Sequence, residues 1–247
     1  MDDSIRTHRG RRLTSRGKLI ISRLPLHEQV AAELRDMIVS GTLAAGDKVP
    51  VNDLAAELNV SLTPLREALK VLAAENLIEL MPNRGARVAP ISVAGTRDLF
   101  EVLARLEGLA AELAARNMTE KQLGELEGLH ERMRGHHERG EKKPYFALNR
   151  QIHDLIVACS GNQILIQTRA QLALRGEQAR FISVESGAHR MEAIQDHEDV
   201  IEALRRRDAK AAHDIWYGHM IRSGEETCRV LREWEETRAA ALRSPAG

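Results

Sequence analysis

The stretch SLTPLREALKVLAAENLI, residues 61–78, contains one strongly marked helix. Thr63 is the expected N-cap, and Pro64 is expected at the first helical position, where its missing N–H costs nothing. Arg66 and Lys70 fall on the solvent side. The opposite side is an apolar stripe at helical spacing, predicted to be buried: Leu65, Ala68, Leu69 and Leu72.

Shorter elements flank this helix. A helix of about four turns is expected from Leu26, with Gly41 as its C-terminal cap, and NDLAAELNV at 52–60 predicts a short second helix. Downstream, LIELMPNRGARVAP at 77–90 has two apolar stretches separated by turn residues, which indicates a β-hairpin. Helix, short helix, helix and hairpin in this order predict a winged helix-turn-helix, whose second helix of the pair enters the DNA major groove.

Helical periodicity continues after this module. Helices are expected at 94–117, 119–139, 144–159, 162–184, 187–206 and 208–236. The predicted fold class is therefore mainly α, an N-terminal winged helix-turn-helix followed by an all-α antiparallel six-helix bundle. The predicted domains are a basic arm at 1–22, the DNA-binding module at 23–90, a linker at 91–95, the helical domain at 96–236 and a flexible tail at 237–247.

Composition restricts the class of protein. The chain has 247 residues, of which 43% are hydrophobic and only 3% aromatic, as in soluble Leu/Ala-rich helical proteins. No run approaches the roughly 20 apolar residues of a membrane-spanning helix, and the N-terminus lacks the apolar core of a signal peptide, so a cytoplasmic location without membrane contact is expected. Cys159 and Cys228 form no CxxC pair and are expected to be buried free thiols.

Charge gives one further indication. The formal net charge is zero, which neither favours nor excludes a polyanionic partner. Residues 5–18, IRTHRGRRLTSRGK, carry six Lys/Arg and no acid, a composition typical of a disordered arm that touches phosphates. A solvated tail without a role explains the same composition equally well.

Three of the ten histidines lie on apolar stripes of predicted helices. His153 follows Asn149 by four residues on one helix face. If the last two helices form a hairpin near Arg207, His197 and His219 lie at matching depth, about 15 Å from the turn. Three imidazoles and one oxygen ligand suit zinc, nickel, iron or manganese, whereas buried histidines bonded to interior carboxylates are the alternative. The remaining histidines are expected at the surface (His8, His27, His130, His136, His137) or are ambiguous (His189, His213).

These motifs resemble a known family. TPLREALKVLAAENLI with the wing PNRGARV is similar to the winged helix-turn-helix of GntR-type bacterial regulators, and the helical remainder resembles the FCD ligand-binding domain of the FadR subfamily, in its six-helix VanR-like group. The resemblance covers about residues 24–228. It implies a homodimeric transcription factor, mostly a repressor in this group, that binds a pseudo-palindromic double-stranded DNA operator and responds to a small-molecule effector bound at a metal.

The resemblance also implies roles for particular residues. It assigns the metal ligands to Asn149, His153, His197 and His219, with zinc as the first choice of metal and nickel, manganese or iron as alternatives. It implies that Arg66 contacts a base or the backbone and Thr63 a phosphate. The predicted DNA-contacting residues are Ser61, Thr63, Pro64, Arg66, Lys70, Asn52, Arg84 and Gly85. The predicted effector-contacting residues are Arg105, Leu103, Arg175, Trp216 and Arg222.

Two regions depart from the family pattern. Leu62 and Asn52 stand where basic residues are common, so the operator sequence cannot be transferred from relatives. Leu103 stands where an arginine often holds an effector carboxylate, and Arg105, about 200° around the helix, is not expected to substitute for it. The effector is therefore expected to be less acidic than usual or to be anchored elsewhere.

Three functions remain open from the sequence. The first is a repressor controlled by an organic acid or aromatic metabolite bound at the metal site. The second is a regulator that senses the metal itself. The third is a metal-dependent hydrolase, which is disfavoured because no interior carboxylate is obviously placed as a general base and because no GxSxG or HExxH motif occurs. The chain is therefore not expected to be an enzyme.

Overall fold

The computed structural model describes residues 7–8, 11–13, 19–20, 24–82, 84–183 and 190–243. In the N-terminal segment, β1 (Thr7–His8), β2 (Arg11–Leu13) and β3 (Leu19–Ile20) form an antiparallel sheet in that order. The rest of the predicted basic arm, and the end of the predicted tail from residue 244, lie outside the described residues.

The next elements form the predicted winged helix-turn-helix. They are α1 (Leu26–Val39), α2 (Val51–Glu57), α3 (Leu62–Ala74), β4 (Ile78–Met81) and β5 (Gly85–Val88). The two strands pair antiparallel, which confirms the hairpin. The predicted stripe of α3 is buried and packs with α1 and the strands, in a core that includes Leu34, Ile38, Leu65, Leu72 and Leu77.

The start of α3 differs from the prediction. Ser61, and not Thr63, is the N-cap, with an extended backbone at φ −74° and ψ 165° and no side-chain capping bond. Thr63 and Pro64 are therefore the second and third residues of the helix. Proline is tolerated at each of the first three positions of a helix because the N–H groups there have no partner within the helix.

Six helices follow in the described residues, as the periodicity predicted. They are α4 (Val93–Asn117), α5 (Glu120–Glu138), α6 (Lys142–Cys159), α7 (Gln163–Ser183), α8 (Arg190–Arg205) and α9 (Ala209–Arg243). None of the described helices is both long and apolar enough to cross a membrane.

The ends of these helices refine the predicted boundaries. Gly140, Gly161 and Arg207 have positive φ at the turns after α5, α6 and α8, where the sequence indicated breaks. The linker is shorter than predicted, because α4 begins at Val93 and its N-cap, Ser92, accepts a hydrogen bond from a backbone N–H three residues on. At the other end, α9 extends beyond residue 236 to Arg243 through an alanine-rich segment that favours helix.

Helix α7 connects the two domains. Its Leu174 packs against the core of the DNA-binding module. One residue on, Arg175 lines a narrow cleft beside the segment that joins β5 to α4, and Gln178 and Ala179 line the same cleft. The helical domain thus contacts both the DNA-binding module and the segment that joins β5 to α4.

The tightest packing in the bundle joins α4 to α9. Phe100 on α4 is 2% exposed and lies against the backbone of Gly224 on α9. A Cβ atom added at Gly224 would lie 2.5 Å from the Cβ of Phe100, which is too close for any real contact. The absence of a side chain at Gly224 therefore permits this approach.

Replacing Gly224 with alanine is expected to lower the free energy of unfolding by about 1–3 kcal/mol, because the added methyl group overpacks the contact with Phe100. The matched control is Gly128→Ala on α5, where an added Cβ meets nothing within 4 Å. That control is expected to be stabilising by roughly 0.5–1 kcal/mol, because alanine favours helix over glycine. Equal shifts of the thermal unfolding midpoint in the two variants would contradict this packing.

Candidate metal centre and DNA-binding surface

Three buried imidazoles meet inside the bundle. They are His153 from α6, His197 from α8 and His219 from α9, which are 0%, 0% and 4% exposed. One nitrogen from each lies within 4.8 Å of the others. The rings of His197 and His219 are 5.0 Å apart between centroids, as their equal distance from the α8–α9 turn predicted. The backbone thus brings together three potential ligands from three helices.

The unpaired nitrogen atoms of this cluster suit a metal. Nε2 of His153 and both ring nitrogens of His197 are buried and have no hydrogen-bond partner among the described residues. Buried polar atoms are normally hydrogen-bonded, and an unpaired one is costly. A divalent cation among the three rings would satisfy Nε2 of His153 and one of the two nitrogens of His197, so the residues present fit such an ion.

Carboxylates orient two of the three rings from outside. Nδ1 of His153 lies 3.2 Å from Oε2 of Glu107, and Nδ1 of His219 lies 3.1 Å from Oδ2 of Asp196. Because each contact uses the Nδ1 atom, the Nε2 atom of the same ring remains available to the interior of the cluster. Histidine ligands of metals commonly donate their second N–H to a carboxylate in this way, which fixes both tautomer and ring orientation.

Asn149 is the fourth ligand that the sequence predicted. It lies on α6 four residues before His153 and is only 8% exposed. Its carboxamide makes no hydrogen bond to any residue that the structure describes. One helical turn before His153 on the same helix, this amide can act as the oxygen ligand.

Glu107, on α4, is the residue that sequence analysis missed. It is 1% exposed and accepts hydrogen bonds from Nε of Arg169 at 2.9 Å and from Nε1 of Trp216 at 2.9 Å, besides its contact with His153. Burial alone would raise the pKa of Glu107, but His153 and Arg169 outweigh burial and hold that pKa well below its usual range. Sequence analysis found no interior carboxylate obviously placed as a general base, and Glu107, although interior, is engaged by Arg169 and Trp216.

A signal for Glu107 was present in the sequence. It shares one helical face with Leu103, Ala110, Ala111 and Ala114, all of which are buried. An acid in the middle of an apolar stripe indicates a buried charge with obligatory partners. Those partners come from α6, α7 and α9, so the pattern of α4 alone does not identify them.

His130 was predicted at the surface, and that prediction was wrong. It is 7% exposed, and its ring centroid lies 6.0 Å from that of His197. It belongs to the buried face of α5, at helical spacing from Leu126 and Met133. His136, His137 and His213 are partly exposed, whereas the side chains of His8 and His189 lie outside the described residues.

The five residues predicted to contact an effector are scattered. Leu103 and Trp216 are buried in helix packing, at 2% and 0% exposure. Arg222 binds the carboxylate of Asp196 at 2.5 Å. Arg105 lies over the ring of Tyr217, and Arg175 faces the interdomain connection. Among the described residues, no cavity contains all five.

The residues predicted to contact DNA lie on the exposed side of the winged helix-turn-helix. Arg66 on α3 is exposed and has no ion-pair partner within the described part of the chain. Lys70 is exposed but lies 2.8 Å from the carboxylate of Glu67. Leu62 is 37% exposed at the first position of α3. Exposed residues elsewhere in the predicted set are Asn52 on α2, Ser61 and Thr63 at the start of α3, and Arg84 and Gly85 in the wing, while Pro64 is partly buried.

Burial keeps the three central histidines neutral. It lowers the pKa of His153 to about 4, against opposition from Glu107. It also lowers the pKa of His197, with the neighbouring histidines adding to the effect, and the pKa of His219, against opposition from Asp196. Neutral imidazole is the form that binds metals.

The metal-free protein is therefore expected to lose stability as the pH falls from about 6.5 towards about 4. In this window the unfolded chain binds protons on histidine that the folded state excludes. Each excluded proton contributes about 1.4 kcal/mol per pH unit to the free energy of unfolding. Denaturant unfolding in the presence of a chelator measures this slope. His197→Gln is expected to reduce it and His137→Gln to leave it unchanged; equal slopes in both variants would contradict the assignment.

Comparison with known proteins identifies both domains. Residues 26–88 match the family model described as bacterial regulatory proteins, gntR family, and residues 98–222 match the FCD domain. The chain is similar to the HTH-type transcriptional repressor RspR of Escherichia coli (strain K12), with 28% identity over 85% of this chain and 92% of that protein.

Two further similarities agree with this match. The probable D-xylose utilization operon transcriptional repressor of Paenarthrobacter nicotinovorans is 31% identical over 77% of this chain and 85% of its own length. The solved structure of E. coli McbR/YncC has a TM-score of 0.75 and 25% identity, covering 86% of this chain and 100% of that one. The protein therefore belongs to the GntR family of bacterial regulators, with an FCD domain after its winged helix-turn-helix, and is a DNA-binding transcriptional regulator and not an enzyme.

Proposed function

We propose that this protein is a metal-containing repressor whose operator affinity is controlled by a small organic effector bound beside the metal. The observation that carries the proposal is the cluster of His153, His197 and His219. Nitrogens of His153 and His197 are buried without a partner among the described residues, and carboxylates orient the rings of His153 and His219. Regulation without a metal would leave these unpaired atoms unexplained.

The ligand chemistry favours zinc, with nickel, manganese or iron as alternatives. Three imidazole nitrogens with one amide oxygen from Asn149 make a neutral ligand set, and the positions that remain are open to a further ligand. Because Asn149 brings no negative charge, a divalent ion keeps its full double charge at this site. Compared with an ion bound by an aspartate at this position, such an ion would attract an anionic effector more strongly. The protein would also hold the ion less tightly.

The DNA-binding part of the proposal rests on the exposed face of α3. In a homodimer, two such helices read half-sites about one helical turn apart, so the operator is expected to be pseudo-palindromic. Arg66 carries a free guanidinium on this face and is proposed to contact a base or phosphate.

Helix α7 supplies a physical connection between the metal centre and the DNA-binding module. Its Arg169 binds Glu107, the carboxylate that orients His153, and its Leu174 packs in the core of the module. An effector that favours one arrangement of these contacts would shift operator affinity, and a coupling of about 1–3 kcal/mol corresponds to a 5- to 150-fold change.

Of the two alternatives, only metal sensing remains. A regulator of this kind would respond to chelation alone, without any organic ligand. The hydrolase alternative has no support, since the chain belongs to a family of regulators and Glu107 is engaged by Arg169 and Trp216.

Protein purified without added metal is expected to contain about one divalent ion per chain, measured by elemental analysis. His197→Ala removes a central ligand and is expected to abolish retention, whereas His137→Ala, a partly exposed histidine outside the cluster, should retain the ion. Asn149→Asp adds a charged ligand and is expected to tighten zinc binding about 10-fold or more. Unchanged metal content in His197→Ala, together with unchanged zinc affinity in Asn149→Asp, would show that the cluster is not the site.

Gel shifts with DNA from upstream of the protein's own gene test operator binding. A specific complex is expected at moderate salt, and Arg66→Ala is expected to weaken it roughly 5- to 150-fold, the range of one good base contact. Arg116→Ala, an exposed arginine of the helical domain, is the control and should have no effect. Absence of any specific complex, with and without metal, would refute the proposed function. Release of DNA by chelator alone would favour the metal-sensing alternative.

A further inference from the structure

A cleft of about 540 Å³ lies between the two domains. One wall is the last turn of α1, in the DNA-binding module, and includes Val39. The opposite walls are the first half of α6 and the C-terminal third of α7. Its size falls in the range of small-molecule binding sites, and it is separate from the residues that the sequence predicted for an effector.

The cleft has an apolar interior and a basic mouth. Val39 and Phe146 supply apolar surface from opposite domains. Lys142 and Lys143 are exposed and have no ion-pair partner in the part of the chain that the structure describes. They are the first two residues of α6, where the helix dipole also favours an anion.

The other charged side chains that line the cleft are Asp36, Arg150, Glu177 and Arg180, so with the two lysines its basic groups outnumber its acidic groups by four to two. Glu177 lies 3.4 Å from Arg150, and both are on its walls. Asp36, on the α1 side, is a single acid facing the two lysines of α6. The uncompensated charge of the cleft is therefore positive.

Asn149 connects the cleft to the imidazole cluster along helix α6. This residue lines the cleft, is 8% exposed, and makes no hydrogen bond among the described residues. It precedes His153 by one helical turn on the same face of α6. A molecule in the cleft would therefore meet an amide that makes no hydrogen bond within the described part of the chain.

We propose that this interdomain cleft is the effector site, and that its ligand is an amphipathic organic anion. The acidic group pairs with Lys142 and Lys143 at the mouth, the apolar body lies between Phe146 and Val39, and the inner end meets Asn149. This arrangement supplies the anchor that Leu103 lacks. Because α1 forms one wall, the ligand touches the DNA-binding module directly, and its binding favours the domain arrangement in which both walls contact it.

This inference rests on the proposed effector control and names the site and ligand class for it. Binding is tested on the full chain with 8-anilinonaphthalene-1-sulfonate, an aromatic anion that fluoresces in apolar surroundings. Saturable binding is expected, and Lys142→Gln/Lys143→Gln should weaken it at least 5-fold. Lys121→Gln/Lys210→Gln removes two exposed lysines outside the cleft and should leave it unchanged.

Two further experiments test the wall of the cleft and the chemical class of its ligand. Val39→Trp fills the cleft from the α1 side and is expected to block the probe, while metal content and operator binding are retained. Octanoate should displace the probe from the wild type at least 5-fold more effectively than octanol, and this difference should disappear in the Lys142/Lys143 variant. If Val39→Trp binds the probe normally, α1 does not form the wall and the interdomain inference fails.

The outcomes separate this inference from the proposed function. Unchanged probe and octanoate affinity in the Lys142/Lys143 variant would overturn the cleft as the anion site, even if some other small molecule still releases the operator. Conversely, loss of probe binding in that variant would support the cleft. If, at the same time, no organic anion alters operator affinity in gel shifts, effector control itself would fail.

Discussion

A single buried carboxylate, Glu107, determines the arrangement of the helical domain. From α4 it contacts His153 on α6, Arg169 on α7 and Trp216 on α9, so four helices converge on two oxygen atoms. A buried charge is tolerated only with well-placed partners, and breaking such a set costs about 3–5 kcal/mol. The orientation of His153, and hence the geometry of the imidazole cluster, follows from this constraint.

Helix α7 extends the constraint to the other domain. Within a little over two turns it carries Arg169, bound to Glu107, then Leu174, packed in the DNA-binding core, and then Glu177, on the wall of the interdomain cleft. The imidazole cluster, the cleft and the DNA-binding module are thus neighbours along one helix. A small movement of α7, caused at the imidazole cluster or at the cleft, would therefore be transmitted to α1 and α3.

Much of this organisation could be predicted from periodicity. The buried stripe of α3, the hairpin wing and the equal depth of His197 and His219 each follow from spacing within one or two adjacent elements. Glu107 and His130 were missed because their partners come from helices distant in sequence, and periodicity identifies a buried face without identifying what covers it. The cleft could not be predicted for the same reason, since Val39, Lys142 and Glu177 are distant in sequence and only the fold brings them together.

The central claim is that the bundle holds a divalent metal through three imidazoles and an amide oxygen. X-ray absorption of the zinc-loaded protein tests it most directly. The account predicts three imidazole nitrogens and one or more oxygens at about 2.0–2.2 Å from zinc, with no sulfur. A sulfur ligand at about 2.3 Å, which would implicate Cys159 or Cys228, or fewer than three imidazoles in the first shell, would contradict it.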